Sequence, residues 1–176
     1  MLARLGLQGD ASFAVVCAGG GGHADASALF AGAATQLARE GITTIAVGVP
    51  AAAPAITVPA LANADLMGLL AASRVALLAG GSLLVQALAL DVPVVAMPLQ
   101  AEQAARVRWL AQAGAVWAED THDASRLAQQ VRALAEDIDA SKRLRAGVAR
   151  LGLKNGLEDA VGALGALAGL VPQRSF

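Results

Sequence analysis

Two glycine-rich stretches stand where backbone amides could hold an anion. The first, Ala18-Gly19-Gly20-Gly21-Gly22-His23, follows the apolar run Phe13 to Cys17; the second, Ala79-Gly80-Gly81-Ser82, follows Val75 to Leu78. Glycine lets N–H groups approach a phosphate closely, and the unpaired amides and positive dipole end of a following helix hold it there. Ser82 adds a hydroxyl and is placed to cap the helix expected from Leu83. Neither stretch is a Walker A loop, because no Gly-Lys-Ser/Thr follows, and four consecutive glycines do not fit G-x-G-x-x-G. Either turn alone is equally readable as a flexible connection that binds nothing. Two of them in one parallel sheet suggest a single nucleotide site shared between them.

The other chemistry-bearing residues are fewer. His23 could meet a phosphate or act as a general base, against the plainer reading of a surface histidine beside a turn. His122, within Asp120-Thr121-His122-Asp123, reads as cap-region polarity. Cys17 ends a core strand as a small buried hydrophobe. Trp109 and Trp117 are expected to pack on a helix face and a strand face, and Arg143, Arg145 and Arg150 to be solvated on a late helix. No Cys/His cluster has metal-ligand spacing and no Ser/His/Asp arrangement can be argued, so neither a metal nor a cofactor is expected.

Apolar β-branched runs alternate with alanine- and leucine-rich segments of helical length, the pattern of a parallel sheet with crossover helices. Strands are expected at Phe13 to Cys17, Thr44 to Val47, Ile56 to Val58, Val75 to Leu78, Val94 to Met97 and Ala115 to Ala118. Between them helices are expected near Asp25 to Arg39, Leu66 to Ala72, Leu83 to Leu90, Ala101 to Ala113 and Ala124 to Glu136, with two more closing the chain. Gly41 and Gly114 stand as helix stops, and Thr121 with Asp123 as a cap. The fold class is therefore α/β: one Rossmann-like, doubly wound parallel sheet with helices on both faces, a single domain over residues 1–176. Ligands in such sheets bind at the carboxyl ends of strands near the switch in strand order.

The 176 residues are long enough to bury a core, being 56% hydrophobic and 15% charged. Thirteen basic against fourteen acidic residues give a net charge of -1, so there is no positive field to gather nucleic acid. Alanine makes up about a quarter of the chain and accounts for much of the mean hydropathy of +0.57. The longest apolar run, Val75 to Leu90, is split by Gly80 and Gly81, so no membrane span is expected. The N-terminus shows no signal peptide, and one cysteine forms no internal bridge, which makes a cytoplasmic setting the default.

The stretch from Leu78-Ala79-Gly80-Gly81-Ser82 through Gln86-Ala87-Leu88-Ala89-Leu90-Asp91-Val92-Pro93 to Met97-Pro98-Leu99 and Glu102-Gln103 resembles the donor-binding, C-terminal half of GT-B glycosyltransferases, in the group that contains MurG. The likeness runs from about Phe13 to Ala166. It implies a nucleotide-sugar site, most often for UDP-sugars. Gly80, Gly81 and Ser82 would hold the diphosphate and Gly20 and Gly21 would face it; Gln86 would take the place of the family glutamate at the ribose; Glu102 and Gln103 would contact sugar hydroxyls. The chain departs from the family with Gln86 for that glutamate, Gly21 for a common serine, Ser73 for an acidic residue and Leu61 for an aromatic on the base. The catalytic residues are not identified, His23 being the one weak candidate.

The resemblance implies three partners: a nucleotide-sugar donor, an acceptor-binding domain or subunit, and an acceptor that could lie at a membrane surface. The opening LARLGLQGDASFAVV is similar to the stretch joining the halves in intact relatives, so a domain of a longer protein is expected. The alternatives are a half-enzyme needing a partner subunit, the C-terminal half of a sugar-nucleotide hydrolase of the kind used in pseudaminic acid synthesis, and a non-catalytic nucleotide-sugar module.

Overall fold

The computed structural model describes residues 2–8, 11–19, 24–153 and 156–168. Its elements run β1 (Ala14–Cys17), α1 (Ala24–Arg39), β2 (Thr44–Val47), β3 (Ile56–Val58), α2 (Asn63–Ala72), β4 (Val75–Ala79), α3 (Ser82–Ala89), β5 (Val94–Met97), α4 (Ala101–Gln112), β6 (Trp117–Ala118), α5 (Ala124–Glu136), α6 (Ile138–Leu151) and α7 (Leu157–Leu167). The six strands pair in parallel throughout, in the order β3-β2-β1-β4-β5-β6. This is the doubly wound arrangement, and its order reverses between β1 and β4.

The strands are apolar on both faces because both faces are covered. Along β1, Val15 and Cys17 join one core layer while Ala14 and Val16 join the other; along β4, Ala76 and Leu78 take the first layer and Val75, Leu77 and Ala79 the second. That alternation follows from the two-residue period of a strand. Leu69 and Leu70 of α2, Leu84 and Leu88 of α3, and Val107 and Leu110 of α4 cover the first face. The opposite face is covered by Phe30, Ala34 and Leu37 of α1 and by Leu127, Val131 and Leu134 of α5. Alanine is used where α1 lies close to the sheet: Ala33 and Ala34 are fully buried.

Turn chemistry sets the lengths. Gly41 and Gly114 adopt left-handed φ of 87° and 69° and stop α1 and α4. Asp123 caps α5 by accepting from the Ser125 N–H at 2.8 Å, and its own N–H donates to Thr121 Oγ1 at 3.1 Å. Strand β6 is shorter than expected, because Ala115 N–H donates to Leu110 O and so closes α4 instead of joining the sheet. Trp109 corrects another expectation: it is 56% exposed. It lies two residues, or about 200° of helix turn, beyond Val107, which is buried, and so points away from the sheet. Trp117 does pack against the core. Arg145 and Arg150 are not merely solvated, since they donate to Asp91 O at 2.9 Å and Ala113 O at 3.2 Å and tie α6 to the turns after α3 and α4.

Phe30 sits at the centre of the α1 layer with no exposed surface. Phe30→Ala is expected to destabilise the fold by about 3 to 5 kcal/mol, through lost transfer energy and a residual cavity. Urea unfolding followed by circular dichroism should show a large drop in midpoint with an unchanged slope.

Candidate functional site

At the switch between β1 and β4 the chain opens into a cleft of about 170 Å3, lined by Cys17 and Gly19 from the end of β1, Gly81 and Ser82 from the β4–α3 turn, and Leu99 and Gln103 from the start of α4. The cleft arises from topology. Helix α1 leaves β1 for one face of the sheet and α3 leaves β4 for the other, so the two connections diverge above neighbouring strands.

At the N-terminus of α3, Gly81, in extended conformation at φ −77° and ψ −164°, is the N-cap; it makes no side-chain cap hydrogen bond, and no acidic residue stands in the first turn. Ser82 is thus the first helical residue rather than the cap, because the backbone already turns at Gly81. The amide groups of a helix's first turn and the positive end of its dipole suit an anion, and no acidic residue in that turn of α3 neutralises them. Leu83 and Leu84 follow, so the anion would sit on a largely apolar base.

Gly80 has a different reason to be glycine. A Cβ there would lie 2.7 Å from Val107 Cγ2 and 2.9 Å from Gln103 Cβ, so α4 could not pack against the end of β4 with any larger residue. The same contact uses Arg106, whose Nη1 donates to Gly80 O at 2.6 Å. Sequence reasoning missed Arg106, although it lies three and four residues after Gln103 and Glu102 on the same helix face. Gln103 accepts the Leu99 N–H through Oε1 at 2.9 Å, which leaves its amide nitrogen toward the Gly81 turn. Gln103 therefore braces the β5–α4 loop and also lines the cleft.

The remaining expected residues divide. Gln86 lies on α3, four residues and so about one turn beyond Ser82, exposed and outside the lining of the cleft. Glu102 is exposed in the first turn of α4. Leu61 is half-buried against the core, as a packing residue. Gly20, Gly21 and His23 lie outside the described residues. Among the described residues no group of three or more His, Cys, Asp or Glu could hold a metal ion, and no helix is long and apolar enough to cross a membrane.

No family model matches the chain, and no curated protein matches it. Solved structures do. The spinosyn forosaminyltransferase SpnP superposes with a TM-score of 0.73 at 18% identity, over 96% of this chain and 47% of that one. The S. aureus MnaA–UDP structure gives 0.72 at 13% identity, over 99% and 49%. The C-terminal CMP-Kdo binding domain of WaaA from Acinetobacter baumannii gives 0.61 at 17%, over 83% of this chain and 92% of that domain. The chain has the fold of a GT-B C-terminal half. It spans less than half the length of SpnP and MnaA, and almost the whole of the WaaA domain. The likeness lies in the fold and does not single out the MurG group within it.

Cys17 offers a reporter inside this GT-B cleft. Burial pushes its thiol pKa up, outweighing the hydrogen bond with the Gly19 backbone, which pulls it down. A raised pKa means less thiolate at a given pH, so at about pH 8 iodoacetamide should alkylate the folded chain more slowly than the unfolded chain. The folded-state rate should then climb as pH rises beyond the ordinary thiol range. The same sign makes stability complete below the unfolded thiol pKa and lower above it, as the proton favoured in the folded state is lost. Equal alkylation rates for folded and unfolded chains would contradict this placement of Cys17.

Proposed function

We propose that this chain binds the nucleoside diphosphate of a sugar donor and is the donor-binding half of a glycosyltransferase, with the acceptor held by a second domain or subunit. The observation that carries the reading is the uncapped, acid-free N-terminus of α3 behind Gly80-Gly81-Ser82, open to the switch-point cleft of a GT-B half. The amides of Gly81 and Ser82 and the Ser82 hydroxyl hold the phosphates, and Gly80 lets α4 close against them. The reading also assigns Gly20 and Gly21 to the phosphates, as the resemblance implies. Gln86, one turn along α3, meets the ribose diol, and Glu102 and Gln103 reach sugar hydroxyls from the start of α4. UDP is the donor nucleotide, in a cytoplasmic setting, consistent with UDP in the neighbouring MnaA structure. The half alone lacks the opposite wall that would position an acceptor and supply a base, so it binds without efficient turnover.

Calorimetric titration tests this reading. UDP is expected to bind about tenfold or more tightly than uridine, because the helix-end amides and dipole act on the phosphates alone. Gln86→Glu should strengthen UDP binding by replacing a neutral acceptor of the diol with a charged one, a gain of about 1 kcal/mol. No UDP binding at about millimolar ligand, a concentration corresponding to roughly 4 kcal/mol of binding energy, overturns the assignment. Rapid release of UDP from UDP-N-acetylglucosamine by this chain alone would move it to the hydrolases.

A further inference from the structure

Arg106 reaches from α4 to the backbone of the β4–α3 turn, where its Nη1 donates to Gly80 O at 2.6 Å. Gly80 is buried, so this bond lies at the covered end of an otherwise exposed side chain. The N–H of Gly80 is held as well, since it donates to Met97 O at 3.0 Å at the end of β5. Among the described residues the ion pairs use Arg126, Arg132, Lys142 and Arg143 and leave Arg106 out, so its guanidinium is directed at this carbonyl. A peptide flanked by two glycines meets no Cβ on either side and reorients more easily than one between other residues. It has to be fixed from outside the turn, and the group that fixes it here is a cation.

The two ends of the Gly80–Gly81 peptide are coupled. It is trans, so Gly80 O and the Gly81 N–H point to opposite sides of it. Holding the oxygen toward α4 turns the Gly81 N–H away from Arg106, and Gly81 lines the switch-point cleft. A cation donating to the oxygen also draws electron density from the amide nitrogen and makes its N–H a stronger donor. Resting on the function proposed above, we infer that Arg106 is a positioning residue for the diphosphate, acting through the orientation and polarisation of the Gly80–Gly81 peptide. Arg106 is not among the residues lining the cleft, so its effect passes through Gly81 rather than through a contact of its own. The packing of α4 on β4 already rests on Val107 and on the missing side chain at Gly80; the guanidinium serves the turn.

The test is titration of the chain, of Arg106→Met and of Arg106→Lys with UDP and with uridine, followed by backbone amide resonances, with the Gly81 15N resonance also compared before ligand is added. Methionine keeps an aliphatic stem on an exposed helix position, and circular dichroism checks the fold; if Arg106→Met does not fold, Arg106→Gln is read in the same way. Arg106→Met is expected to bind UDP about tenfold more weakly and uridine within about twofold of the parent, the loss of one well-aligned hydrogen bond to a charged group. Arg106→Lys should recover part of that loss, because the contact uses a single nitrogen and an ammonium can also donate to the carbonyl. Without ligand, the Gly81 15N resonance should move upfield in Arg106→Met, as a carbonyl released from its donor polarises the amide less. UDP affinity in Arg106→Met within about twofold of the parent overturns the inference and leaves the diphosphate assignment standing. Equal losses for UDP and uridine, an unmoved Gly81 resonance, or no recovery in Arg106→Lys do the same. Absence of UDP binding by the parent overturns both.

Discussion

The structure turns on the divergence of two connections above adjacent parallel strands. β1 and β4 are hydrogen-bonded neighbours, with Ala14 opposite Val75 and Cys17 opposite Leu78, yet α1 and α3 pack on opposite faces of the sheet. Right-handed crossovers leave no other way to build outward in both directions from the middle of a sheet. The space between the two connections cannot be filled by either helix, and the amides at the start of α3 open onto it. A cleft with a positive end is thus a consequence of covering both faces of an apolar sheet, and the alternation of Val15 and Val16 or Leu77 and Leu78 between the two layers belongs to the same constraint.

Close approach makes that opening specific. Without a side chain at Gly80, α4 reaches the end of β4, Arg106 grips the Gly80 carbonyl, and Gln103 ties down Leu99 while keeping its amide nitrogen at the turn. One helix thereby fixes the glycine turn, one wall of the cleft and the β5–α4 loop. The absence of an acidic residue or side-chain cap at α3 is the electrostatic counterpart. A helix that caps itself, as α5 does through Asp123 and α6 through Asp137, has already used amides that α3 keeps available.

Much of the fold is legible in the sequence because the relevant signals are local. The β-branched runs at Thr44–Val47, Ile56–Val58 and Val94–Met97 are strands over those same residues, and Gly41, Gly114 and Asp123 mark helix ends as their chemistry requires. What is less legible depends on contacts between distant segments. Residue type alone places Trp109 inside, but its phase relative to Val107 and Leu110 puts it outside. Ser82 has the chemistry of a cap, but the extended backbone at Gly81 does that work and frees the hydroxyl for the cleft. Arg106 needs three-dimensional adjacency, since it meets the Gly80 carbonyl only because α4 packs against the end of β4. Gln86 and Glu102 stand on the helices expected and are exposed.

The central claim is that a nucleoside diphosphate sits on the first turn of α3. Backbone amide resonances recorded during titration with UDP test it directly, because an anion accepting from an N–H moves that resonance more than distant ones. The account predicts the largest shifts at Gly81, Ser82 and Leu83, smaller ones at Gly19 and Leu99, and none along α5 or α6. Shifts concentrated on α5 and α6, or an unchanged Gly81–Leu83 signal at saturating UDP, would contradict it.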